Sequence, residues 1–264
     1  MERFGFGESR SVSTPQEKGF NLFPSGPEDA RCNQQRYQEA VGSLMNATTT
    51  TRPDLAYTVE TLVRFSHDPA ERHWAGVKRV FRYLKGTLDL VLTLGGDLTQ
   101  LEGFAGSQSK SAILIEYTDS DWGGDPATLK STSGYAARLG TKDIICWRST
   151  RQPTCAQSTA EAEYIACAHA VSQLEWIRGL LAEIGFESLS GEPGSMSCQV
   201  VDKAHSAYFD VVPPKFETIL FCDNRACIAN IGDGHIKTSH KSIGVKYHGI
   251  RDRVARGEIG LRYC

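Results

Sequence analysis

Three acidic residues carry the chemistry that can be read from this chain: Asp119 in YTDSDW, Glu163 in QSTAEAEYIACA and Asp223 in TILFCDN. Asp119 and Asp223 each follow a short apolar run with the pattern of a strand. Glu163 lies near the start of a long helical pattern. Carboxylates delivered from strand ends and a neighbouring helix are the parts of an oxygen cage for Mg²⁺. Such a cage supports phosphodiester hydrolysis by two Mg²⁺ ions held roughly 3.5–4 Å apart, with no covalent nucleophile. No GxSxG, HExxH, P-loop or strand–turn–helix GxGxxG competes with that chemistry. Taken singly, each acid also has a plain reading, because aspartates are common where strands turn and glutamates favour helix N-termini.

The long helix ties the three together. Ser158 or Thr159 can cap it, and it extends to about residue 184. Glu163, Ala166, Ala170, Leu174, Ile177 and Leu181 then fall on one stripe, so Glu163 extends the core-facing side. Glu161 lies roughly 200° away around the axis. A carboxylate aimed at a sheet needs a partner, and a metal shared with two strand-end aspartates would supply one. Asp121 shares the pleat parity of Asp119 and could assist from further out.

The elements that must position these residues follow from periodicity. Strands are expected at 111–120, 134–139, 144–148 and 216–222, with Gly140-Thr141-Lys142-Asp143 as a hairpin signal. Asp223-Asn224 reads as a turn and cap into a helix at 225–231. A last helix is expected at 243–256 and a last strand at 259–264. Upstream, residues 1–36 look like an extended lead-in, followed by helices at 37–45, 53–65 and 71–85. In the third of these, Trp74, Val77, Phe81 and Leu84 recur at core spacing, and Lys78, Arg82 and Lys85 form a basic stripe. That stripe is either a solvated face or a track for phosphates. The Gly/Ser-rich stretch 95–110 is the best domain boundary, and 186–215 reads as an insertion. His235 and His240 sit in polar loop sequence, as solvated side chains or proton shuttles, and His169 reads as packing.

Bulk composition is that of an ordinary globular chain: 264 residues, 40% apolar, 23% charged. No apolar run approaches the roughly 18 residues of a membrane span, so no membrane partner is expected. The N-terminus lacks an apolar signal core, which argues against secretion. A net charge of −2 gives no global attraction to nucleic acid, so binding must rest on local basic patches. The eight cysteines contain no CxxC pair and read as small buried hydrophobes in a reducing compartment rather than as disulfides or zinc ligands.

Several stretches together resemble the C-terminal part of the Pol polyprotein of copia-like (Pseudoviridae-type) LTR retrotransposons. They are ERFGFGESRSVSTP, YQEAVGSLMNATTTTRPDLAYTV, HWAGVKRVFRYLKGTLD, YTDSDWGGDPATLKSTSGY, QPTCAQSTAEAEYIACAHAV, LFCDNRACIA and VKYHGIRDRVARGEI. The resemblance implies that 1–95 is the tail of the reverse transcriptase with its helical connection. Residues 111–264 would be a ribonuclease H-like domain, an α/β fold with a mixed five-stranded sheet and flanking helices. Such a domain cleaves the RNA strand of RNA–DNA hybrids during reverse transcription. Its metal carboxylates would fall on Asp119, Glu163 and Asp223, holding two Mg²⁺ ions, with Mn²⁺ as a substitute. Nucleic-acid contacts are expected at Lys78, Arg82, Lys85 and Asn224, and the resemblance makes the remainder of the reverse transcriptase a partner. Intact relatives work in cytoplasmic particles, so an intracellular location, cytoplasmic or nuclear, is implied.

The chain departs from the family pattern in three respects. The polymerase turn with paired aspartates is absent, so DNA synthesis is not expected. The last helix of the fold and its fourth carboxylate are missing, which predicts weak, manganese-favoured or absent cleavage. Ser242 and Gly244 stand where the last helix usually starts with His and Asp. A non-catalytic nucleic-acid-binding remnant is the alternative, with a transposase or integrase on the same fold behind it.

Overall fold

A computed structural model describes residues 2–17, 19, 22–93, 114–140, 143–184, 218–232 and 249–264. The expected boundary at 95–110, the insertion at 186–215, the start of the last helix with Ser242 and Gly244, and His235 and His240 lie outside these residues.

The first half is helical. After a 3₁₀ turn at Glu2–Phe4, α1 spans Gln34–Thr50, a second 3₁₀ turn spans Pro53–Leu55, α2 spans Ala56–Val63 and α3 spans Glu71–Gly86. Asn33 starts α1 by accepting the Arg36 N–H at 2.8 Å, filling one of the donors that a helix start leaves unpaired. Pro53 suits the first helical position, where no N–H is needed. One apolar cluster joins Tyr37, Leu44, Leu55, Val59, Leu62, Val77 and Val80. The lead-in is part of this cluster rather than merely extended: Phe4, Phe6 and Leu22 are buried, and Phe6 stacks on Phe81 at 4.9 Å.

The second half is a sheet of β1 (Leu114–Asp121), β2 (Thr132–Leu139), β3 (Asp143–Arg151), β4 (Thr218–Cys222) and β5 (Gly260–Tyr263). Its order is β3-β2-β1-β4-β5, with β1–β2–β3 an antiparallel meander and β4 and β5 added in parallel. Helices α4 (Thr159–Glu183), α5 (Arg225–Gly232) and α6 (Gly249–Ala255) complete it. This is the mixed five-stranded, helix-flanked arrangement of a ribonuclease H-like fold, as expected from the sequence.

Strand parity divides the sheet residues. Leu114, Leu220 and Cys222 join the α4 cluster with Ala170, Leu174, Ile177 and Leu181, whereas Ile115, Ile219 and Phe221 form a separate cluster with Tyr117. All six residues of the α4 stripe are buried, Glu163 included. The two halves also touch. Trp147 of β3 donates its indole N–H to Thr48 O at 2.8 Å, and Arg64 lies 3.7 Å from the Asp125 carboxylate and 3.4 Å from the Thr132 hydroxyl.

Candidate functional site

The ends of β1 and β4 lie side by side. Their parallel register pairs Thr118 with Cys222, so Asp119, still paired with Gly134 of β2, and Asp223, just past the end of β4, follow as neighbours. Helix α4 brings in Glu163 at the same end. Ser158 accepts the Glu161 N–H at 3.2 Å, and the Glu161 carboxylate accepts the Gln157 N–H at 2.8 Å. Glu161 therefore serves the helix start, and Glu163, two residues on, faces the sheet.

Glu163 is held on one side only. Its Oε1 accepts the Ser120 N–H at 3.1 Å and the Ser120 hydroxyl at 2.9 Å. Its Oε2 is buried and has no hydrogen-bond partner among the described residues. Burial pushes this carboxyl up to about 7; the Ser120 hydrogen bonds pull against that, and Cys222 and Asp119 add to it. Asp223 is exposed, and its carboxyl is also raised, by partial desolvation and then by the Asp119 charge.

Side-chain ligand atoms of Glu163, Cys222 and Asp223 all lie within 4.8 Å of one another. The structure thus brings two of the three expected carboxylates into direct ligand range, with Asp119 close enough for its charge to be felt by both. An unsatisfied buried carboxylate oxygen beside two further carboxylates is a donor set for a hard divalent cation such as Mg²⁺ or Mn²⁺. Cys222, in the same group, is a soft donor and matches such an ion poorly.

Asp121 is engaged elsewhere. It accepts the Thr132 N–H, closing the far end of the β1–β2 pair, and the Tyr57 hydroxyl at 3.3 Å. Tyr57 and Asp54 face Asp119, Gly134, Trp147 and Arg148 across a cleft of about 350 Å³ between the helical half and the sheet. Asn224 caps α5 through Oδ1, which accepts the Cys227 N–H at 2.9 Å. The basic stripe of α3 lies against the lead-in: Arg82 donates to Arg10 O at 2.7 Å and Lys85 donates to Gly7 O. His169 is half-buried on α4, away from the exposed end of the site.

Three features had no signal in local spacing. Glu116 on β1 is fully buried, and neither of its carboxylate oxygens has a hydrogen-bond partner among the described residues. Burial pushes its carboxyl up to about 9. Cys167, Cys222 and Cys227 converge from α4, β4 and α5 with ligand atoms within 4.8 Å. Arg251 of α6 is buried, with its guanidinium 5.7 Å from the Tyr164 ring centroid.

No protein-family model matches the chain. Several retrotransposon-type Pol polyproteins do match, among them that of transposon TNT 1-94 from Nicotiana tabacum. It is 31% identical over 259 residues, 96% of this chain and 16% of the polyprotein. The secreted RxLR effector protein 161 of Plasmopara viticola is 38% identical over 141 residues, 53% of this chain and 90% of that protein. Among solved structures, LC11-RNase H1 isolated from compost overlaps 58% of this chain and 84% of its own, at 14% identity and a TM-score of 0.37. The fold assignment rests on strand order and register rather than on that overlap. The chain spans less than a fifth of the length of the polyproteins it matches. Among the described residues, no helix is long and apolar enough to cross a membrane.

Proposed function

The chain belongs with the retrotransposon-type Pol polyproteins, and from that premise we propose that residues 111–264 act as its ribonuclease H module. The reaction is hydrolysis of the RNA strand of RNA–DNA hybrids during reverse transcription. In this reading residues 1–95 are the reverse-transcriptase tail and connection, and the rest of that enzyme is the partner. The observation that carries the reading is Glu163, fixed at Oε1 by Ser120 and left with a buried Oε2 that has no partner among the described residues, at the same end of the sheet as Asp119 and Asp223.

Asp119, Glu163 and Asp223 would hold the divalent cations, Mg²⁺ with Mn²⁺ as substitute. Bound there, the ions supply a low-pKa water and stabilise the leaving 3′ oxygen. The chain's own residues do the positioning. The parallel pairing of β1 with β4 sets the spacing of the two aspartates, and Ser120 fixes the Glu163 rotamer. The exposure of Asp223 leaves the outer side open to a phosphodiester. Asn224 orders the turn that carries Asp223 by capping α5, and its backbone lies next to any strand bound there. Lys78, Arg82 and Lys85 would track the duplex further away, although Arg82 and Lys85 must first leave the carbonyls they now hold.

The test is cleavage of an end-labelled RNA–DNA hybrid in Mg²⁺ and then Mn²⁺, alongside Asp119→Asn. Cleavage that disappears in the variant is expected. A folded wild-type chain inert in both ions would instead mark a non-catalytic remnant, and equal cleavage by Asp119→Asn would refute the assignment.

A further inference from the structure

Beneath the carboxylates lies a second group of donors of a different kind. Cys167 lies one helical turn after Glu163 on α4, Cys222 is the last residue of β4, and Cys227 is in the first turn of α5. All three are fully buried free thiols. Their sulfurs lie within 4.8 Å of one another, and Cys167 Sγ stands 3.9 Å from Cys227 Sγ. Buried cysteines usually serve as small hydrophobes, scattered among aliphatic side chains. Here three elements separated along the chain deliver three sulfurs to one point instead.

We propose that Cys167, Cys222 and Cys227 form a binding site for a soft, thiophilic d¹⁰ cation, Cu(I) in preference to Zn²⁺. The spacing carries the argument. Three thiolates each about 2.3 Å from a common ion in a trigonal plane would stand about 4.0 Å apart. The sulfurs need to move by only tenths of an ångström on the measured edge to reach that arrangement. Structural Zn²⁺ takes four ligands, whereas this cluster offers three among the described residues, a set of soft thiolates that suits Cu(I). Each thiol that binds releases its proton to solvent. The Asn224 N–H, 3.5 Å from Cys222 Sγ, remains to partner the charge that develops there.

An ion also has a way in. Cys222 belongs to both donor groups, since its sulfur lies within 4.8 Å of ligand atoms of Glu163 and of the exposed Asp223. A cation arriving at Asp223 can pass to Cys222 and then to the two deeper thiols. Occupation of the lower site would place a positive charge directly under the carboxylates.

The experiment is anaerobic titration of the full chain with Cu(I) against a competing chelator, read by thiolate-to-metal absorption and by bound metal per chain. One equivalent is expected, and it should survive replacement of Cys32, Cys155, Cys198 and Cys264 together by serine. Cys167→Ala and Cys227→Ala should each lower the affinity at least tenfold, with Cys227→Val as a second variant and circular dichroism as the check on folding. A folded Cys227→Ala or Cys227→Val that still holds its equivalent would overturn the site, as would loss of binding when those four cysteines are replaced. Zn²⁺ held as tightly as Cu(I) would overturn the three-coordinate assignment. Hybrid cleavage is not the readout, so the outcome is independent of the nuclease reading.

Discussion

Replacing Glu116 by glutamine should remove a pH dependence of stability that the wild-type chain carries. Glu116 points to the α4 side of β1, between Leu114 and Thr118, and pairs across the strands with Ala137. Its carboxyl has no hydrogen bond among the described residues, and burial lifts it from 4.5 to about 9. The folded chain therefore keeps Glu116 protonated at neutral pH, whereas the unfolded chain releases that proton above about 4.5. Below that pH both states are protonated and burial costs nothing extra from ionisation. As pH rises towards about 9, folding must recover a proton that the unfolded chain has lost, and stability falls. At pH 7 the span above 4.5 is about 2.5 units, and at about 1.4 kcal/mol per unit the penalty is roughly 3 kcal/mol. Urea unfolding of wild type and Glu116→Gln at pH 5, 7 and 8.5 measures it. The difference between the two should grow in favour of the variant by about 1.4 kcal/mol per unit across that range. Stability curves that stay parallel from pH 5 to 8.5 would refute the reasoning and place water or an unseen partner at the carboxylate.

Two further outcomes follow from the site. Burial raises Glu163 to about 7, so protons compete for it near neutrality, and Mn²⁺ should bind more weakly at pH 6 than at pH 8. Calorimetric titration checks this, and equal affinity at the two pH values would exclude Glu163 as a ligand. At Gly124, an added Cβ would stand 2.0 Å from Asp121 Oδ2, and Asp121 is tied to Thr132 and Tyr57. Gly124→Ala should cost about 1–3 kcal/mol in a denaturant melt; an unchanged midpoint would mean the carboxylate swings away freely.

Much of the site was legible because it depends on local periodicity. The spacing from Glu163 to Leu181 sets one buried stripe, and apolar runs leading to Asp119 and Asp223 mark two neighbouring strands, although β1 runs on to Asp121. Parallel neighbours bring those residues together without further information. Glu116 was not legible, since in a run such as LIEY an acidic residue at the alternate position reads as solvent-facing until α4 is laid over it. The burial of the lead-in was not legible for a similar reason: Phe4 and Phe6 have no period of their own and are buried only because α3 presents Phe81 and Trp74. The cysteine trio is spread over three elements, and no spacing rule links Cys167 to residues more than fifty positions later. Arg82 and Lys85 formed a stripe by spacing alone, yet the carbonyls that engage them belong to residues with no pattern at all.

Tyr57 and Arg64 stand two helical turns apart and reach the same stretch of chain, Tyr57 to Asp121 and Arg64 to Asp125 and Thr132. That stretch is the connection leaving β1 just beyond Asp119. The helical half and the carboxylate end of the sheet therefore share a set of residues that neither can alter alone. In lineages where Tyr57 or Arg64 is replaced, Asp121, Asp125 or Thr132 should be found replaced as well, so that inheritance would record a contact the folded chain makes only once.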